Sequence, residues 1–193
     1  MKLINKKAAM FGLDARIALA IFGALSVISG AALYSAIKQA QVTAVVTEIT
    51  ELEKAFEAYY LDTGSLPSMT SNVYDFDDLT ENAASATGWA GPYSSLSYDS
   101  AAKRYNHNTY NTTGLIAEFE YDDWGFGTTG TDISCSTGEL CAAFVCIHTI
   151  PRSLADGIDL QIDGELDDKK GKVRWYNSET TPSLCYRSIS YIK

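Results

Sequence analysis

Histidine is scarce, with only His107 and His148 in 193 residues. Neither stands near a recognisable nucleophile pattern. There is no G-x-S-x-G, no H-E-x-x-H and no Walker-type phosphate loop, so catalysis by those routes lacks its parts. The four cysteines, Cys135, Cys141, Cys146 and Cys185, contain no C-x-x-C pair, and their spacing does not suit zinc. Positive charge is also in the minority, 15 Lys and Arg against 24 Asp and Glu, for a net charge of −9. An acidic chain repels polyanions, so no nucleic-acid partner is expected. No internal repeat occurs. With 46% hydrophobic, 20% charged and 11% aromatic residues, collagen-like, low-complexity and wholly disordered classes are excluded.

Charge is missing altogether from Ile17 to Ile37, which reads IALAIFGALSVISGAALYSAI. As a helix this run matches the hydrocarbon thickness of a bilayer, about 30 Å. Before it, Lys2, Lys6, Lys7 and Arg16 outweigh Asp14. The chain after it is acidic in net charge. The positive-inside rule then keeps the head in the cytoplasm and exports the body. A secretory signal peptide has the same general form, but this run is long and continues into more helix without a clear cleavage segment. Gly23 and Gly30 give it a small face that allows close helix packing.

Beyond Lys38 the apolar residues are Val42, Val45, Ile49, Leu52, Phe56 and Tyr59, at spacings of 3, 4, 3, 4 and 3. Glu48, Glu51, Lys54 and Glu57 fill the other faces. Neither Pro nor Gly interrupts 31–61. Gly64 and Pro67 end the pattern. One helix over 13–62, about 75 Å long, is therefore predicted.

Several stretches resemble type IV pilins and the pseudopilins of type II secretion. MKLINKKAAMFG resembles their short basic leader ending in Gly, which a prepilin peptidase removes. YYLDTGSLP (Tyr59–Pro67) resembles the exit of their long helix. GWAGPY (Gly88–Tyr93) resembles a W-x-GPY segment and YDDWG (Tyr121–Gly125) a later D-x-W-G turn. Ile150–Tyr176 resembles a C-terminal helix, acidic loop and strand of pilin-like proteins. The resemblance implies a leader over 1–12, cleavage after Gly12 and Leu13 as a methylated terminus. It also implies a pilin-like exported domain over 63–193. One departure is Ile17, which stands where family members carry a Glu that pairs with a neighbour's terminal amine. Asp14 is the nearest carboxylate, and it is expected to pair with Arg16 or with a neighbouring amine.

In the body, 68–114 reads as a long connection with short elements. LIAEFEY (Leu115–Tyr121) alternates as a half-buried strand, AAFVCIHTI (Ala142–Ile150) as a more buried one, and KVRWY (Lys172–Tyr176) and LCYRSISYI (Leu184–Ile192) as two more. Leu154, Ile158 and Ile162 suggest a short helix ending at Gly164. The expected fold is α+β and pilin-like, the long helix packed on an antiparallel sheet of about four strands. Four exported cysteines allow three connectivities. Cys135–Cys141 with Cys146–Cys185 is the favoured one.

Asp163, Glu165 and Asp167 match the first positions of a calcium loop, and some secretion pseudopilins carry calcium in a C-terminal loop. The sixth position is Asp168 instead of Gly, however, and the twelfth is Arg174 instead of Glu. The reading is a solvated acidic turn with Lys169 and Lys170, with no metal and no cofactor. Trp89 with Tyr93, or Trp175 with Tyr176, could offer a stacking surface for carbohydrate, but packing of a small sheet is the preferred reading. Asn111-Thr112-Thr113 is a glycosylation sequon by pattern alone.

The function that follows is a non-enzymatic filament subunit of a type IV pilus or type II secretion pseudopilus. It would start as a single-pass inner-membrane protein with a periplasmic domain and end in a periplasmic or surface filament. Its partners would be its own copies, related minor pilins, a prepilin peptidase and an inner-membrane assembly platform. The alternative is an unprocessed bitopic envelope protein with a periplasmic ligand-binding domain.

Overall fold

The computed structural model describes residues 6–107, 110 and 112–193, with side chains from Gly12 onward. Helix α1 spans Lys6–Thr63 without interruption. The chain divides into two compact units, one reaching to Ala40 and the other spanning Gln41–Lys193. In the first, every residue from Gly12 to Ala40 is exposed. In the second, Val42, Val45, Ile49, Leu52, Phe56 and Tyr59 are all buried. The 3-4 spacing makes this a single stripe, and the stripe is the helix's contribution to the core. At the helix end Gly64 takes φ 70° and its N–H bonds Tyr60 O at 2.8 Å. A left-handed residue there costs least as glycine.

A two-residue hairpin follows, β1 (Met69–Thr70) and β2 (Val73–Tyr74), then the short α2 (Asp77–Glu81), β3 (Tyr98–Asp99) and β4 (Arg104–His107). The longer elements are β5 (Thr112–Glu120), β6 (Leu140–Ile147), α3 (Arg152–Ile162), β7 (Val173–Tyr176) and β8 (Ser183–Ile192). All strand pairs are antiparallel. Among the described residues the main path is β1-β2-β5-β6-β8-β7, with β4 also on β5 and β3 on β4. The four strands expected from the sequence are β5 to β8, and the hairpin and β3–β4 extend their sheet to eight.

β5 differs from its reading as half-buried. Both of its faces are covered, with Ile116 and Glu118 buried as fully as Leu115, Ala117 and Phe119. One face packs with α1, α3 and Tyr105; the other packs with Trp124 and Ile133 from the 121–139 segment. Buried Glu118 is tolerable because Lys193 Nζ and Tyr191 Oη both bond it. α3 places Leu154, Ala155 and Ile158 in the core and hands over to Gly164 at φ 80°.

Candidate functional site

The apolar run is the dominant surface of the first unit. Eleven large apolar side chains between Leu13 and Ile37 are each 48–75% exposed. The most apolar 18-residue window has a mean hydropathy of 2.1, so the helix is long and apolar enough to cross a membrane. At about 2 kcal/mol per side chain, leaving these residues in water costs on the order of 20 kcal/mol. Such a helix requires lipid or other helices around it. Gly12, Gly23 and Gly30 have nothing within 4 Å of where a Cβ would stand, so all three are open to close approach.

Gly12 and Leu13, the expected processing site, lie within the continuous helix. The start of the leader, 1–5, lies outside the described residues. Asp14 and Arg16 form no ion pair with one another among the described residues. Two positions apart on a helix, their side chains diverge. Ile17 is exposed one turn beyond Leu13.

In the second unit, the short motifs are places of close approach. A Cβ at Gly88 would lie 2.3 Å from Asp62 O, at the end of α1. Tyr93 Oη donates to Asp62 Oδ2 at 2.8 Å, and Trp89 Nε1 donates to Asp78 O at 2.9 Å. GWAGPY, with its cis Gly91–Pro92 bond, thus fastens the connection to the helix exit. In YDDWG, Trp124 is buried against Phe119, Phe144 and Tyr176, and a Cβ at Gly125 would meet Asp168 O at 2.1 Å. Only glycine fits at that contact.

The contact at Gly125 ties the turn to the acidic loop, whose aspartates accept from backbone N–H groups of the loop and of the turn. Asp163 accepts from Lys172 N at 3.1 Å and Val173 N at 2.8 Å. Asp167 accepts from Lys169 N, and Asp168 from Phe126 N. Asp159 Oδ2 accepts from Asp167 N at 2.9 Å, while its Oδ1 is buried without a partner among the described residues. Burial, with Asp163, Asp167 and Asp156 around it, pushes the Asp159 carboxyl up to about 6. Among the described residues no three acidic, His or Cys side chains converge on a point where a metal could sit. The calcium that the family suggests does not fit these residues as they stand. Arg174 leaves the loop entirely. Its guanidinium is buried on the sheet, donating to Tyr121 O and Asp122 O beside Trp124.

Cys135 is bonded to Cys141 and Cys146 to Cys185, the latter pair directly opposite on β6 and β8. His107 is buried with Nδ1 2.7 Å from Glu48 Oε1. His148 Nδ1 meets Ser183 Oγ at 3.0 Å, and burial with the nearby Arg104 charge pushes its imidazole down to about 4. Trp89 and Tyr93 pack edge to face at 5.7 Å. Trp175 and Tyr176 lie in different core clusters on opposite faces of the sheet, so they share no stacking surface. Asn111 of the sequon lies outside the described residues. The Glu118–Tyr191–Lys193 cluster escaped sequence reasoning. Its partners are 73 and 75 residues apart, and no local pattern joins them.

A long helix, apolar in its first half and packed on an antiparallel sheet through its second, defines a pilin-like protein. Residues 32–134 match the family model for type II secretion system protein G. That is more than half of the chain, which belongs to this pseudopilin family, a family of structural subunits. No curated protein and no solved structure matches the chain.

Proposed function

We propose that the chain is a filament subunit of a secretion pseudopilus, assembling helix on helix through residues 13–37. The observation that carries this reading is the wholly exposed apolar surface of α1 from Leu13 to Ile37. In the membrane that surface is satisfied by lipid; in a filament it is satisfied by the same helix of other copies, with Gly23 and Gly30 permitting close contact. The subunit is anchored in the inner membrane with its globular unit in the periplasm, and prepilin peptidase cuts between Gly12 and Leu13. The new amine at Leu13 lies close to Asp14, which stands in for the carboxylate missing at Ile17 by pairing with the amine of a neighbour. An unpaired carboxylate near lipid is costly, so this pairing favours the assembled state. Other pseudopilins and the inner-membrane platform complete the machine.

The test is the N-terminal mass of the protein recovered from native membranes. A chain beginning at Leu13, heavier by a methyl group, is the expected result. An intact chain beginning at Met1, in cells whose peptidase processes other prepilins, would overturn the processed-subunit reading. The presence of Ile17 at the usual Glu position favours a second reading in that event, a bitopic envelope protein anchored by the same helix.

A further inference from the structure

β7 ends the sheet, with β8 as its one neighbouring strand among the described residues. An edge of this kind offers its backbone N–H groups to any further strand. Here they are already taken. Val173 N donates to Asp163 Oδ2 at 2.8 Å, and Trp175 N donates to Asp168 O at 3.3 Å. The acidic loop thus stands where another strand would pair.

The loop is closed by the oxygens that a cation would need. Asp163 reaches across its base, where Oδ1 accepts from Lys172 N at 3.1 Å. The carboxylate lies so close to Gly171 that a Cβ there would come within 2.3 Å of Oδ2, and Gly171 takes φ 82° to make the return. Counted from Asp163, the third position of a calcium loop is Glu165, which is exposed. The fifth is Asp167, whose Oδ1 accepts from Lys169 N at 3.0 Å. The seventh position of such a loop lends a backbone carbonyl, but here Lys169 O accepts from Trp124 N at 3.2 Å. The twelfth is Arg174, whose guanidinium is turned to Tyr121 O and Asp122 O. The oxygen left over is Asp159 Oδ1, buried and without a partner among the described residues. One oxygen is far short of the about six to eight that calcium takes.

We propose that the 163–171 loop is a metal-free clamp on the edge of β7. The two oxygens of Asp163 hold the ends of the loop together through Lys172 and Val173, and the Gln41–Lys193 unit reaches its full stability without calcium. The clamp is independent of the filament reading, since it uses no residue of α1.

The experiment is urea unfolding of the full chain in mild detergent, followed by tryptophan fluorescence, which reports on the loop because Trp124 and Trp175 both bond it. Calcium and magnesium are compared at about 10 mM each, a tenfold excess over the weakest class of protein calcium site, and EGTA is the third condition at the same ionic strength. Equal midpoints are expected in all three. A site with a Kd of about 1 mM would raise the midpoint in calcium by about 0.5 M over magnesium. Any such rise overturns the proposal, and so does one equivalent of calcium retained by the protein through dialysis against EGTA. Asp163→Ala should lower the midpoint by the same amount in calcium and in EGTA, and Asp163→Asn, which keeps one accepting oxygen, should lower it less. A loss seen only in calcium, or no loss, overturns the clamp. The comparison of calcium with magnesium and EGTA needs no variant at all.

Discussion

Gly157 lies on the face of α3 that meets the buried half of α1. A Cβ placed there would come within 2.7 Å of Val42 Cγ2, with Val42 Cβ and Cγ1 at 3.9 and 4.0 Å. Favourable carbon contacts begin near 3.5 Å, so the overlap is on the order of 1 Å. A valine is stiff at χ1, and the intruded methyl cannot swing aside without a poor rotamer. Gly157→Ala therefore sets two effects against each other. In the interior of a helix the exchange gains about 1 kcal/mol of propensity. Overpacking a close helix contact costs about 1–3 kcal/mol. The second exceeds the first, and a net loss of about 1 kcal/mol is expected. Val42→Ala removes the obstructing methyl groups at a cost of about 2 kcal/mol for the void. In that background Gly157→Ala should change sign and stabilise by about 1 kcal/mol. Guanidinium unfolding of the full chain in mild detergent measures the cycle, because Trp89, Trp124 and Trp175 all belong to the Gln41–Lys193 unit. If Gly157→Ala stabilises the wild type, or has the same effect with and without Val42, the steric argument fails.

Three other outcomes follow from the same core. Replacing both cysteines of Cys146–Cys185 by Ala, which opens a loop of 39 residues, should cost about 4 kcal/mol, against about 2 kcal/mol for the six-residue Cys135–Cys141 loop, as read from unfolding midpoints. Arg174→Ala should cost about 3 kcal/mol in the same assay by removing two charge-assisted bonds to the Tyr121 and Asp122 carbonyls and opening a void where the buried guanidinium packed, and Arg174→Lys should recover less than half of that loss because it lacks the fork. His148 and Asp159 should impose opposite pH slopes. The depressed histidine withdraws stability as pH falls from 6.5 towards about 4, and the raised carboxyl returns it as pH falls through about 6 towards 3.8. Relative to wild type, His148→Gln should therefore gain on acidification and Asp159→Asn should lose; equal slopes in denaturation series at pH 4 to 7 would refute the assignment.

The legible parts of the fold were those with a period. Val42 to Tyr59 repeats every three or four residues, and β5 to β8 are long enough for apolar residues to outnumber turn formers. β1 and β2 have two residues each and no period. Their hairpin depends on Ser71 and Asn72 both taking positive φ, 51° and 63°, which suits a two-residue turn but is announced only by the asparagine. Alternation along β5 told which residues share a face. It could not tell that both faces are covered, because the cover comes from Trp124 and Ile133 outside the strand. In the acidic loop, charge spacing suggested a cation site, whereas the competing use of those carboxylates, capping the backbone N–H groups of Lys172 and Val173, appears only once the chain has turned back at Gly171. The apolar helix was legible for the opposite reason: twenty-one residues without charge need no partner to be recognised.

That helix also separates two questions which a shorter element would entangle. Exposing Leu13–Ile37 to water costs on the order of 20 kcal/mol, more than the 5–15 kcal/mol that holds an ordinary domain folded. The preference of the first half for an apolar environment therefore survives the unfolding of the second. Polar substitutions within 17–37 should alter where the chain resides and leave the core of the Gln41–Lys193 unit unchanged, because no side chain of that run belongs to either core cluster. Substitutions at Ile49 or Phe56 act in reverse: both are fully buried in the sheet-bearing unit, and neither lies in the apolar run. A single continuous helix thus carries two independent free energies, and a defect in filament assembly can be assigned to one or the other by asking whether the three tryptophans still unfold at the wild-type midpoint.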